Sequence, residues 1–139
     1  MTYQPDFDID NRRGKVGENL VGSFVEALAR GTIEVKTDYG LSKTGNLYIE
    51  TWAYRNPDES DKRPSGINTT KADFWAFASP GGTGFVCIST DELKAHIKET
   101  NPPTARQPIS NEATMASLGR LVKMSDLLER MKLTKERTQ

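Results

Sequence analysis

Cysteine and histidine are almost absent from this chain, with Cys87 and His96 as single representatives. One cysteine builds no disulfide framework, and one of each cannot assemble a zinc site of the usual Cys/His kind. A Ser-His-Asp or Cys-His hydrolase would have to use His96, which falls in a segment patterned as a plain helix and reads as a helix-surface residue. Any bound metal must therefore be held by carboxylates. No apolar run approaches the roughly 20 residues needed to span a bilayer. The opening MTYQPDFDIDNRR also lacks the apolar stretch of a signal peptide. The expectation is a cytoplasmic protein with no membrane partner. Internal repeats are missing, and SPGGTG is not followed by the GK[ST] of a nucleoside-triphosphate loop.

Net charge is missing as well, since 19 Lys and Arg balance 19 Asp and Glu, but the balance is uneven along the chain. Residues 1–61 carry 7 basic against 11 acidic side chains, and residues 62–139 carry 12 against 8. A mixed, solvated surface accounts for this, and so does an acidic cluster for a divalent cation in the first half with a basic surface for an anionic polymer in the second. With 139 residues, 35% hydrophobic and 27% charged, the chain has material for one domain with a modest core.

Residues 1–13 are polar and read as a loose N-terminal arm ending in an Asp10 or Asn11 cap. Val16, Leu20, Phe24 and Leu28 then recur every four positions, with Val21 and Val25 beside them, so an amphipathic helix is expected from Lys15 to Arg30, stopped by Gly31. TIEVKTD alternates with period two, placing Glu34, Lys36 and Asp38 on one face. NLYIETWAY alternates again, and the two runs are expected to pair as an antiparallel hairpin. In that pairing Asp38 and Glu50 share a face, because directly opposed residues have an even index sum, and Lys36 lies about 7 Å from Asp38. ADFWAFA and FVCIS read as strands around an SPGGTG turn. Ser89 or Thr90 caps the helix DELKAHIKE, with Leu93 and Ile97 inward. The fold class is therefore α/β, a mixed four-stranded sheet flanked by helices. The core spans residues 1–100, and residues 101–139 are a Pro-containing linker with a basic amphipathic helical tail.

Three carboxylates, Glu18, Asp38 and Glu50, together with Lys36, stand out by position. Hard cations such as Mg2+ take oxygen ligands and keep water in the remaining places, so two or three carboxylates on a sheet make a site. The metal lowers the pKa of bound water and neutralises charge building on a phosphate, and a nearby ammonium adds to both effects. Cross-strand ion pairs on a solvated face are the alternative use of the same residues.

The order EVKTD, KTGNLYIE, PSGINTTKADFWAF resembles the PD-(D/E)XK nuclease superfamily, and within it a group of small, often phage-encoded nucleases with Holliday-junction-resolvase-like members. The resemblance covers about residues 14–98. It implies a restriction-endonuclease-like core, with Asp38 as the central metal ligand, Glu50 as the second, the Thr51 carbonyl as a third and Glu18 in direct or water-mediated contact. It implies Mg2+ or Mn2+ as cofactor, DNA as partner and a homodimer. The family lysine should stand two residues after the second acid, where this chain has Trp52. Lys36 is the replacement on the adjacent strand, and a second register takes Glu34-Val35-Lys36 as the acid-x-lysine motif. Lys43, Thr44 and Asn46 in the hairpin loop, and Ser65 with Arg63 in RPSGI, are candidate DNA contacts, although an ordinary turn and a polar loop would use the same residues. The function expected is metal-dependent hydrolysis of DNA by an endonuclease acting in recombination, repair or phage DNA processing. The alternative is a catalytically inactive nucleic-acid-binding or interaction module on the same fold.

Overall fold

A computed structural model describes residues 5–37, 40–109 and 114–132, with backbone alone for residues 5–11, 13 and 42. The α/β class holds. The chain runs α1 (Pro5–Arg30), β1 (Ile33–Thr37), α2 (Leu41–Thr44), β2 (Asn46–Tyr54), β3 (Arg63–Pro64), a 3-10 turn (Gly66–Asn68), β4 (Phe74–Ala78), β5 (Phe85–Ser89), α3 (Thr90–Thr100), β6 (Thr104–Gln107), β7 (Ala116–Lys123) and α4 (Met124–Arg130). None of the described helices is long and apolar enough to cross a membrane.

The first helix begins ten residues before the expected start, so residues 5–13 are helical and not a loose arm. Pro5 at the first helical position has the φ a helix wants and no amide to leave unpaired, and Asp6 and Asp8 place acidic residues toward the positive end of the dipole. The stop at Gly31 is as expected. Gly31 adopts φ +70, its amide donates to Leu28 O at 3.2 Å, and the Thr32 amide donates to Ala27 O at 2.9 Å, which is the Schellman ending.

Two sheets replace the expected single four-stranded one. A mixed sheet has the order β1-β4-β5, and an antiparallel sheet has the order β3-β2-β7-β6. The hairpin expected from residues 33–38 and 46–54 does not form. Instead β1 runs parallel to β4, from Ile33 opposite Phe74 to Thr37 opposite Ala78, while β2 pairs with β7. Both runs have the period-two pattern, and that pattern names the face of a strand without naming its neighbour. The apolar FWAFA is buried at four of its five positions, so it belongs at the centre of its sheet. There Asp73 ties the start of β4 to the start of β1: its amide donates to Thr32 O at 2.7 Å, and its carboxylate accepts from the Thr32 hydroxyl at 2.8 Å.

Residues 101–139 also depart from the linker and amphipathic tail expected there. Thr104–Gln107 and Ala116–Lys123 are strands, and only Met124–Arg130 is helical. Spacing among Leu118, Leu121 and Val122 suits a helix as well as a strand, and Gly119 decides for the strand. A Cβ there would stand 2.6 Å from the Tyr48 ring and 2.7 Å from the Ile49 carbonyl, so β2 and β7 approach this closely only because the position has no side chain.

The core gathers residues of both sheets and the last helices: Leu47 and Ile49 of β2, Val122 of β7, Trp75 and Phe77 of β4, Ile88, Leu93 and Leu127. Ser89 caps α3 as expected, accepting from the Glu92 amide at 3.3 Å, with Leu93 inward. Arg130 clamps α4 to α3 through Glu92 (2.9 Å) and Glu99 (2.6 Å). Because β7 lies between β2 and β6, truncation after Asn101 exposes Leu47 and Ile49 and removes Val122 and Leu127. The truncated chain is expected to show no cooperative thermal transition by circular dichroism. Within the intact chain, Gly119→Val is expected to cost about 2–4 kcal/mol in urea unfolding.

Candidate functional site

Along β2 the side chains alternate: Leu47 and Ile49 point into the core, and Tyr48 and Glu50 lie on the opposite face. The Tyr48 ring covers Gly119, and its hydroxyl meets the Ser117 hydroxyl at 2.8 Å. Burial holds the Tyr48 phenol above its usual pKa, with the Glu50 carboxylate adding to the effect and the Ser117 hydrogen bond opposing it. Immediately after Glu50 the register with β7 shifts, so that Trp52 and not Thr51 faces Leu118. This bulge bends the strand and re-aims the side chains around it.

The loop after β3 closes on this bulge. The Ser65 hydroxyl donates to Glu50 Oε2 at 2.6 Å, a short bond of the charge-assisted kind. Gly66, at φ +53, sits so close that any Cβ would collide with the Glu50 carbonyl. Among the described residues no cation is paired with Glu50, so Oε1 is left to accept from something else. Ser65 is thus placed against the proposed acid, fifteen residues away in sequence.

Thr51 does not serve as expected. Its carbonyl accepts from the Ser65 amide at 2.9 Å and from Asn68 Nδ2 at 2.9 Å, which occupies both lone-pair directions. A metal ligand at this atom would have to displace one of them. The described residues therefore offer a cation one oriented carboxylate, Glu50, and no completed shell; no three His, Cys, Asp or Glu side chains cluster among them. Asp38 lies outside the described residues. Glu18 sits exposed on α1 and is not gathered with Glu50 into such a cluster.

Lys36 lies on β1, in the other sheet from Glu50, so the shared face inferred from the hairpin is not formed. Its Nζ pairs with Glu34 Oε1 at 2.6 Å and stands 5.7 Å from the centre of the Trp75 ring. Glu34 is therefore the acid that accompanies this lysine, two residues away on one face of the same strand. The pattern EVK carried that signal.

The candidate phosphate contacts separate into two kinds. Lys43 is exposed on α2, and Arg63 is exposed on β3 with Asp61 at 4.0 Å. The Thr44 hydroxyl instead closes its own turn, donating to Gly40 O at 3.0 Å and accepting from the Asn46 amide at 3.2 Å. Asn46 lines a cavity of about 310 Å3 with His96, Asn101, Lys123 and Asp126. His96 is buried at 3% exposure, against the helix-surface position expected for it, and its Nδ1 has no hydrogen-bond partner among the described residues.

Comparison with known protein families, curated proteins and solved structures finds no match to this chain.

Burial, and after it the Arg130 charge, push the His96 pKa below its ordinary 6.5, while Asp126 and Glu99 oppose the shift. The folded chain therefore resists a proton that the unfolded chain accepts. Stability is expected to be full above pH 6.5 and to fall as pH drops below it, by at most about 1.4 kcal/mol per pH unit from this one group. Urea melts at intervals between pH 7.5 and 5 measure it, and His96→Gln is expected to flatten that part of the profile.

Proposed function

We propose that the protein is a metal-dependent deoxyribonuclease with a restriction-endonuclease-like core, in which Glu50 is one of the acids of the site. The observation that carries this reading is the contact of Ser65 and Gly66 with Glu50. A carboxylate used only for solubility needs no hydroxyl at 2.6 Å and no glycine pressed against its backbone. Such support fixes one oxygen and leaves the other directed outward, which is how a ligating carboxylate is held. The PSGI segment and the acid of NLYIE are the two pieces whose order resembles the small nucleases, and they meet in space.

In this reading Glu50 and Asp38 would hold Mg2+ or Mn2+, and a metal so bound supplies charge neutralisation at a phosphodiester and acidifies water. Ser65 fixes the Glu50 rotamer. Lys43 and Arg63, both exposed, lie on either side in sequence and attract the DNA backbone by charge alone, without reading bases. Lys36 donates to Glu34 and so holds its ammonium on β1. That ion pair favours the second reading, an inactive nucleic-acid-binding module, because a paired lysine away from Glu50 has no part in a site built on Glu50.

Cleavage of end-labelled linear, nicked, flapped and four-way-junction DNA in Mg2+, Mn2+ or EDTA decides between them. The nuclease reading expects metal-dependent cutting that Asp38→Asn abolishes. Glu50→Gln is expected to lower it by roughly 100-fold or more, and Ser65→Ala by about 10–100-fold. Full activity in Glu50→Gln would remove this acid from the site. No cutting on any substrate by a folded protein that still shifts DNA would leave the binding module.

A further inference from the structure

Helix α1 is amphipathic, but most of its apolar face meets nothing in this chain. Ala27 is buried, and Phe24 packs edge-on against Phe74 and stacks on Phe85. Val16 (71% exposed), Leu20, Val21, Val25 and Leu28 remain more than half exposed, as do Val35 of β1 and Phe85 of β5 beside them. These residues border two grooves of about 460 and 490 Å3 on either side of Phe24. Together they form a continuous apolar surface of several hundred Å2, the size that marks an interaction site on a soluble protein.

The sequence of α1 indicates what covers this surface. Gly14, Gly17, Val21, Phe24 and Leu28 follow one another at 3-4-3-4 spacing, the seam of a helix that pairs with another helix. The seam is graded, with glycine in its first half and bulky residues in its second. Each glycine costs the helix about 1 kcal/mol relative to alanine. Nothing in this chain repays that cost, because a Cβ at Gly14 or Gly17 would meet no atom within 4 Å. An antiparallel copy of the same helix does repay it, since the bulky half of one then lies over the glycine half of the other. A parallel copy would set Phe24 against Phe24 and leave a gap at the glycines. The antiparallel arrangement also brings Lys15 of each helix toward Glu26 of the other, an attraction in place of a repulsion.

We propose that the exposed apolar face of α1 is the docking surface for a second copy of this chain, the two α1 helices running antiparallel with their two-fold axis near Val21. Two such patches, with the stems of the flanking Lys15 and Glu26 covered, approach the roughly 1,200–2,000 Å2 that a stable interface buries in total. The proposal stands apart from the nuclease reading, since it rests on α1 and not on Glu50.

Sedimentation equilibrium of the full chain between 1 and 100 μM is expected to give twice the 15.5 kDa mass of one chain. Val21→Glu places a charge at the axis and is expected to give a monomer with an unchanged circular dichroism spectrum. Gly17→Leu improves helix propensity and fills open space in the single chain, so it is expected to leave folding intact and weaken the dimer at least tenfold. In a Cys87→Ser background, Val21→Cys is expected to cross-link readily on oxidation and Gly17→Cys poorly. A monomer throughout the range would overturn the proposal. A dimer untouched by both Val21→Glu and Gly17→Leu would place the interface elsewhere, and preferential cross-linking at Gly17→Cys would overturn the antiparallel arrangement.

Discussion

The pairing of β2 with β7 is the constraint on which the other parts of this molecule depend. It runs from Asn46 opposite Lys123 to Tyr54 opposite Ala116, and each of its faces has a separate task. On one face Leu47, Ile49 and Val122 enter the core, where each buried aliphatic side chain contributes about 1.5–3 kcal/mol. On the other, Tyr48 lies across Gly119 and reaches Ser117, a polar clasp that fits only a glycine beneath the ring. The neighbouring strands β3 and β6 attach to the edges of this pair, and α4 follows directly from β7.

The same ladder determines how Glu50 is presented. A regular strand would continue its alternation through Thr51, but the register shift at this point releases the Thr51 carbonyl to the Ser65 amide and Asn68. The loop is thereby drawn onto the bulge, and the Ser65 hydroxyl reaches the Glu50 carboxylate. Division of the strands between two sheets has the opposite effect on Lys36, which is committed to Glu34 and Trp75 on β1. Position on an alternating strand is local, whereas the partner of that strand is a property of the whole chain. Residues that share a pattern therefore came to lie in different sheets.

Much of the local structure was legible in the sequence, and the reason is the range of the interactions involved. The Gly31 stop, the Ser89 cap, the turn at SPGGTG and the alternation of β1 and β2 all depend on residues within a few positions of one another. The strand β7 did not read as a strand, because Leu118, Leu121 and Val122 satisfy a helical spacing and the need for Gly119 arises only once Tyr48 lies above it. The burial of His96 is hidden for a similar reason. A histidine beside Lys94 and Lys98 looks solvated until α4 and the strand end at Val122 and Lys123 come to stand near it. At the candidate site, Glu50 and Ser65 were named from their residue types and order. The obstruction at Thr51 was not, since two donors from another loop create it.

A further consequence of the β2 and β7 pairing concerns the order in which the chain can acquire its structure during synthesis. Tyr48 and Ser117 are separated by 69 positions, and the strand between β2 and β6 is the last strand to be made. While the ribosome is still adding those residues, β2 has emerged with Leu47 and Ile49 uncovered and one edge of its backbone unpaired. Such an edge is a template for pairing with other chains. For this protein the nascent chain is therefore most vulnerable to misassembly in the interval between the appearance of β2 and that of β7. A fold dominated by so distant a pairing also closes slowly after release, because the loop between the two strands must be ordered before their contact offsets the lost entropy.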